Sequence, residues 1–155
     1  MRLIILKLGR RPPPPSLESK IMRKDLPDVL LKWHDMMDRN DMSALGDILA
    51  EDAVFHSPVV HTPQKGRELV LLYLHAASDV FKNTGFEYKK EIVDGHHAVL
   101  EFACEMNGIH VNGIDMITWN DDGLITDFKV MVRPLKAINM LWAQMGEMLE
   151  KKKQA

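Results

Sequence analysis

Three observations predict an α+β domain for this chain. Apolar residues recur at helical spacing from Val29 to Val80, period-two alternation runs from Phe86 to Arg133, and turn signals such as Asp94-Gly95 separate the alternating runs. Helices that precede an antiparallel meander can cover one of its faces. The expected architecture is a cone-shaped, curved antiparallel sheet of about four long strands plus a short one, covered by three N-terminal helices, with an additional C-terminal helix. Such a cone leaves an apolar cavity between sheet and helices, a usual seat for a small ligand.

Residues 1–22 read as a flexible N-terminal tail and residues 23–152 as one domain. Leu3–Leu8 is too short for a membrane span and Lys7 interrupts it, while Pro12–Pro15 reads as an extended arm. Asp25-Leu26-Pro27-Asp28 looks like a helix start, with a capping acid and proline in the first turn. Val29, Leu30, Trp33, Met36 and Met37 continue that helix to about Asn40. Ser43 can cap a short second helix ending at Ala50, with Leu45, Ile48 and Leu49 inside. A strand starts at Asp52-Ala53-Val54-Phe55, and Pro58, Pro63 and Gly66 turn the chain into a third helix, Arg67–Phe81.

Phe86–Val93 is the first long strand. In His97–Met106, Ala98, Leu100, Phe102, Cys104 and Met106 form one face. Ile109–Trp119 is the third long strand, and Asn120-Asp121-Asp122-Gly123 turns into the fourth, Leu124–Arg133. Pro134 starts a last helix with Leu135, Ile138, Leu141, Trp142, Met145, Met148 and Leu149 on one side. That stripe packs on its own sheet or forms a dimer contact.

Composition narrows the function classes. A chain of 155 residues with 46% apolar content buries about 70% of its unfolded surface, enough for a core and a cavity. A net charge of −2 gives no basic stripe for nucleic acid, and no stretch suits a membrane. The single cysteine, Cys104, excludes an internal disulfide, which makes a reducing, cytoplasmic compartment the default and Cys104 a buried structural thiol. The seven histidines are scattered without metal-ligand spacing, so no metal is expected.

Leu49–Gly66 carries polar candidates toward a pocket mouth. Ser57 shares a strand face with Phe55 and can bond a ligand or its own backbone before Pro58. His61, in the loop, can act as acid, base or lid, or can stand in solvent. His56 points opposite to Ser57. Tyr73 on the third helix can reach the cavity or fill the core. Asp115 shares a face with Gly113, Ile117 and Trp119. If that face lines the cavity, desolvation raises its pKa and makes it an acid, base or oxyanion donor. If Ile114, Met116 and Thr118 turn inward instead, Asp115 meets solvent.

The stretches Asp41–Leu45 with Ala50–Ala53, then Pro58, Pro63 and Gly66, then Ile114–Met116 with Trp119–Ile125, resemble the nuclear-transport-factor-two-like superfamily. Within it they are similar to the SnoaL-like and ketosteroid-isomerase-like branch. The resemblance covers Asp25–Val132. It implies a small-molecule site in the cone, no cofactor, and a homodimer through sheet faces. It places an oxyanion-holding tyrosine near Trp33, a general-base aspartate at Ser57, and a second oxyanion donor, an aspartic acid kept neutral by apolar surroundings, at Asp115. Serine has no carboxylate, so a standard ketosteroid isomerase is not implied. The expected function is binding of an apolar or carbonyl-bearing small molecule by a cofactor-free isomerase-, cyclase- or hydrolase-like domain. Asp115 is its catalytic group, and Trp33, Phe55, Ser57, His61, Tyr73, Trp119 and Phe128 line the ligand. The alternative is a non-catalytic binding or dimerisation module.

Overall fold

The computed structural model describes residues 25–154. The tail assigned to residues 1–22 lies outside them. Helix α1 is Asp28–Arg39 and opens without a side-chain cap. Pro27 takes the capping position expected of Asp25, because its fixed φ of −56° suits a helix entry and its carbonyl accepts the N–H groups of Leu30 and Leu31. Asn40 ends the helix in the left-handed region at φ 52°, which asparagine tolerates.

The expected second helix shrinks to a single 3-10 turn, Leu45–Ile48. Ser43 does not cap it. Instead the Ser43 N–H donates to Asp41 Oδ1 at 3.0 Å, an Asx turn that tightens the chain before the helix can extend. Strand β1 therefore starts earlier than expected, at Leu49, and runs to His56. A two-residue strand β2, Gln64–Lys65, pairs with it and was not anticipated. Helix α2 spans Arg67–Phe81, as the apolar spacing predicts.

The meander follows as β3 (Glu87–Asp94), β4 (His97–Met106), β5 (Ile109–Trp119) and β6 (Ile125–Arg133). The six strands form one sheet in the order β2-β1-β6-β5-β4-β3. All neighbours are antiparallel except β1 and β6, which run parallel. One inward row is Ala98, Leu100, Phe102, Cys104 and Met106 of β4, and the next is Val111, Gly113, Asp115, Ile117 and Trp119 of β5. The second row settles the two-way choice at Asp115: its face turns inward, and Met116 points out. Cys104 is a free, buried thiol held above its ordinary pKa by burial, which keeps it unreactive.

Helix α3, Leu135–Gln154, packs on α2 and on the ends of β5 and β6. Its buried line is Ala137, Leu141 and Met145, four residues apart. Only part of the expected stripe packs on the domain itself. Leu135 and Trp142, one heptad apart on its edge, are 70% and 67% exposed. Lys152 Nζ meets Asp79 Oδ2 at 2.7 Å and ties the helix end to α2.

Candidate functional site

A bulge in β3 builds the centre of the site. Tyr88 pairs with Phe102 and Lys90 pairs with Glu101, so Lys89 is one residue too many for its partner strand. In a regular strand, residues three apart face opposite ways. The extra residue lets Tyr88 and Glu91 both sit opposite inward residues, Phe102 and Leu100. Bulges re-aim side chains in this manner.

Tyr88 meets Asp115 across β4. Its O–H donates to Asp115 Oδ2 at 2.6 Å, and its oxygen accepts the Nε1–H of Trp33 at 2.9 Å. The helix thus hands a hydrogen bond to the sheet, ending on a carboxyl that is 6% exposed. Burial is the larger influence on Asp115 and penalises its charged form. The Tyr88 hydrogen bond partly opposes it, and the result is a pKa pushed up to about 7. Burial and the nearby carboxylate hold Tyr88 well above the ordinary tyrosine range, so it stays a neutral donor.

An aromatic row runs from this network across the interior. The rings of Trp33 and Phe128 lie 5.0 Å apart, those of Phe128 and Phe55 6.2 Å, and those of Phe55 and Tyr73 5.6 Å. These separations are those of rings in contact. The structure therefore brings together five of the residues singled out from sequence: Asp115, Trp33, Phe128, Phe55 and Tyr73. Trp119 is buried at the far end of β5, its ring 6.0 Å from that of His96.

The loop candidates sit apart from that network. Ser57 is half-buried and its Oγ accepts the Val59 N–H at 3.2 Å, the turn bond to its own backbone. His61 is exposed. His56 turns to the outer sheet face, where its Nε2 lies 2.7 Å from Asp127 Oδ2. Two surface pockets, of about 380 and 280 Å³, lie around His110, Asn112, Arg133 and Lys136 and around Ile114 and Met131. Neither touches Asp115. Among the described residues, no three metal-ligating side chains gather. No helix there is long and apolar enough to cross a membrane.

Sequence reasoning did not single out Tyr88, Glu91 or His34. A tyrosine and a glutamate three apart in an alternating strand look like opposite faces until the bulge is known. His34 did carry a signal, since it shares a helix face with Leu30, Trp33 and Met37 at spacings of three and four.

At neutral pH a carboxyl with this pKa is present in both forms. It can give a proton or a hydrogen bond to a developing oxyanion, or take a proton.

Comparison with known proteins agrees with this fold. A steroid delta-isomerase from Pseudomonas aeruginosa is 39% identical with a TM-score of 0.78, over 82% of this chain and 93% of its own. An uncharacterized protein with a cystatin-like fold from Silicibacter pomeroyi is 29% identical with a TM-score of 0.74, over 81% and 88%. A putative polyketide cyclase from Sinorhizobium meliloti is 26% identical with a TM-score of 0.54, over 69% and 96%. No curated protein matches the chain. A family model for the SnoaL-like domain matches residues 30–128, and with the curved sheet, its covering helices and these relatives it identifies the chain as a member of the SnoaL-like domain family.

Proposed function

We propose that this protein is a cofactor-independent enzyme of the isomerase or cyclase kind, acting by acid–base chemistry on a carbonyl-bearing small molecule. The observation that carries the reading is Asp115: a carboxyl inside an apolar interior, bonded to a neutral tyrosine and poised to titrate near pH 7. With Tyr88 donating to Oδ2, the proton of the neutral carboxyl belongs on Oδ1, free to meet a substrate carbonyl oxygen. As charge builds on that oxygen, the donor gains strength in surroundings where water does not compete. Trp33 positions Tyr88, and Phe55, Phe128, Tyr73 and Trp119 supply apolar contact. We assign Ser57 and His61 only to the outer end of a ligand, since the loop that carries them sits apart from the Asp115 network. The family relatives named isomerase and cyclase support this class of chemistry, while Ser57 argues against the base arrangement of a standard ketosteroid isomerase.

The test is conjugation of a β,γ-unsaturated cyclic ketone, followed by the absorbance of the conjugated product. Asp115→Asn should slow it by about a hundredfold or more while circular dichroism stays unchanged. A variant as fast as the parent sinks the role of Asp115.

A second reading has its own observation. The Trp33–Phe128–Phe55–Tyr73 row fills the interior with rings in contact, as a packed core would. If neither parent nor variant converts any enolisable ketone, the domain is a non-catalytic binding or dimerisation module. Dimerisation belongs to both readings. The outer sheet face carries Ile92, Met116 and Met131, exposed by 58%, 36% and 52%, with half-buried Val99 and Ile114 between them in register. A contiguous apolar face of this kind suits a twofold contact with a second copy. A free buried thiol at Cys104 fits a reducing cytoplasm.

A further inference from the structure

The bulge at Lys89 that turns Tyr88 inward turns Glu91 inward as well. Glu91 Oε1 lies 3.0 Å from Nε2 of His34. His34 is 2% exposed and sits on the inward face of α1, next to Trp33. Its ring stands edge-on to Tyr88, with centroids 5.4 Å apart at 89°. A carboxylate only accepts hydrogen bonds, so Nε2 carries the hydrogen and Nδ1 is left as a bare acceptor. Nδ1 is buried and has no hydrogen-bond partner among the described residues. Buried polar atoms are rarely left unpaired, because the lost hydration is not returned. A ligand that brings a proton to Nδ1 would complete it. Two polar pairs therefore meet at Tyr88: Asp115, which takes the Tyr88 hydrogen bond on Oδ2 and in its neutral form can donate from Oδ1, and His34 with Glu91, which offers an unused acceptor.

We propose that His34, oriented by Glu91, is the proton acceptor of the Asp115 site, in place of the carboxylate that Ser57 lacks. The inference rests on the acid–base reading above. Nδ1 takes a proton from the carbon beside the substrate carbonyl. That C–H bond breaks, the N–H bond forms, and the electron pair moves to the carbonyl oxygen, which accepts the Asp115 hydrogen bond as an enolate. Returning the proton from Nδ1 to another carbon of the conjugated system restores the imidazole. No oxidant or reductant enters. The Glu91 side chain balances the imidazolium, while its hydrogen bond fixes the tautomer.

The test uses the full chain labelled with nitrogen-15 histidine, with para-nitrophenol as an enolate mimic. In the free protein, Nδ1 of His34 should resonate as an unprotonated imidazole nitrogen and Nε2 as a protonated one. On binding, the probe should turn to its yellow phenolate and Nδ1 should shift to the protonated position, since the O–H bond breaks as the N–H bond forms. Glu91→Gln, which keeps shape and hydrogen bonding but removes the charge, should weaken phenolate binding by about tenfold or more. His34→Gln should abolish phenolate formation; if it does not fold, the nitrogen spectra and Glu91→Gln decide alone. A protonated Nδ1 in the free protein overturns the inference. So does a probe whose binding depends on Asp115 while Nδ1 stays unmoved, an outcome that leaves the acid–base reading standing. A probe that does not bind, or binds equally well to Asp115→Asn, removes that reading and the inference with it.

Discussion

Replacing Asp115 with asparagine should make the folded protein more stable at high pH, by an amount the structure sets. Burial raises the Asp115 pKa from 3.8 to about 7 in the folded chain. The folded state thus holds the proton more tightly than the unfolded chain does. The stabilising contribution of the neutral carboxyl is complete below the unfolded pKa of 3.8 and is lost as pH rises through about 7. A shift of about three units, at about 1.36 kcal/mol each, amounts to about 4 kcal/mol. Asparagine has nearly the shape of the neutral acid and does not titrate in this range. Urea unfolding of parent and Asp115→Asn, followed by tryptophan fluorescence from about pH 4 to about pH 8.5, isolates this group, because histidines common to both cancel in the difference. The stability difference should move in favour of the variant by about 4 kcal/mol across that window, with most of the change between about pH 4 and pH 7. Curves parallel within about 1 kcal/mol would refute the desolvation argument. Tyr88→Phe is the companion measurement. It removes the hydrogen bond that favours the ionised form, so the titration should move to higher pH.

Two further predictions test the sheet. Gly113 faces inward beneath Phe102, and a Cβ there would collide with Phe102 Cζ and come within 2.6 Å of the Met131 carbonyl oxygen. Gly113→Ala should cost about 1–3 kcal/mol in urea unfolding, and a neutral result would show that strand and ring can shift apart. Met131→Glu puts a charge into the outer apolar face at a residue 52% exposed, so the proposed twofold contact through that face requires it to leave the fold intact while lowering the sedimentation coefficient from that of two copies to that of one. An unchanged sedimentation coefficient would place any self-contact elsewhere.

What could be read from the residues divides along the range of the forces involved. Period-two alternation in β4 and β5 is set by the local pleat, so which residues share a row could be read directly; which row of β5 turns inward, and with it the burial of Asp115, could not. The 3-10 turn at Leu45–Ile48 looked like a helix because its apolar residues keep helical spacing, and the Asp41 side-chain bond that tightens its approach leaves no periodic trace. How much of the α3 stripe the domain itself covers was not legible, because spacing tells which residues share a face but not how wide a face its neighbours cover. At the site, Trp33 and Asp115 were legible as separate candidates. Their connection was not, because it runs through Tyr88, and Tyr88 depends on one surplus residue in β3 whose effect exists only once β4 fixes the register.

The two readings of the site differ in what they require of the interior. A module that needed only a filled core would gain from an apolar residue at position 115, since an ionised carboxyl there costs about 4 kcal/mol at alkaline pH. It would also gain from removing the unpaired Nδ1 of His34. Both liabilities belong to buried side chains that touch Tyr88, Asp115 through the tyrosine O–H and His34 through its ring edge. One is a group that can give a proton near pH 7, and the other is a bare nitrogen that can receive one. Two independent costs meeting where a donor and an acceptor would be useful weigh toward chemistry. The ring row weighs toward a packed module, because rings in contact already fill that part of the interior. Aromatic stacking depends on contact, whereas the cost of a buried charge depends on protonation. Raising the pH ionises Asp115 and therefore increases the second while leaving the first intact. If the site opens as that cost grows, a non-ionising ring probe such as para-nitroanisole should bind faster as Asp115 ionises; binding kinetics flat across that titration would leave the row of rings, rather than the carboxyl, in control of entry.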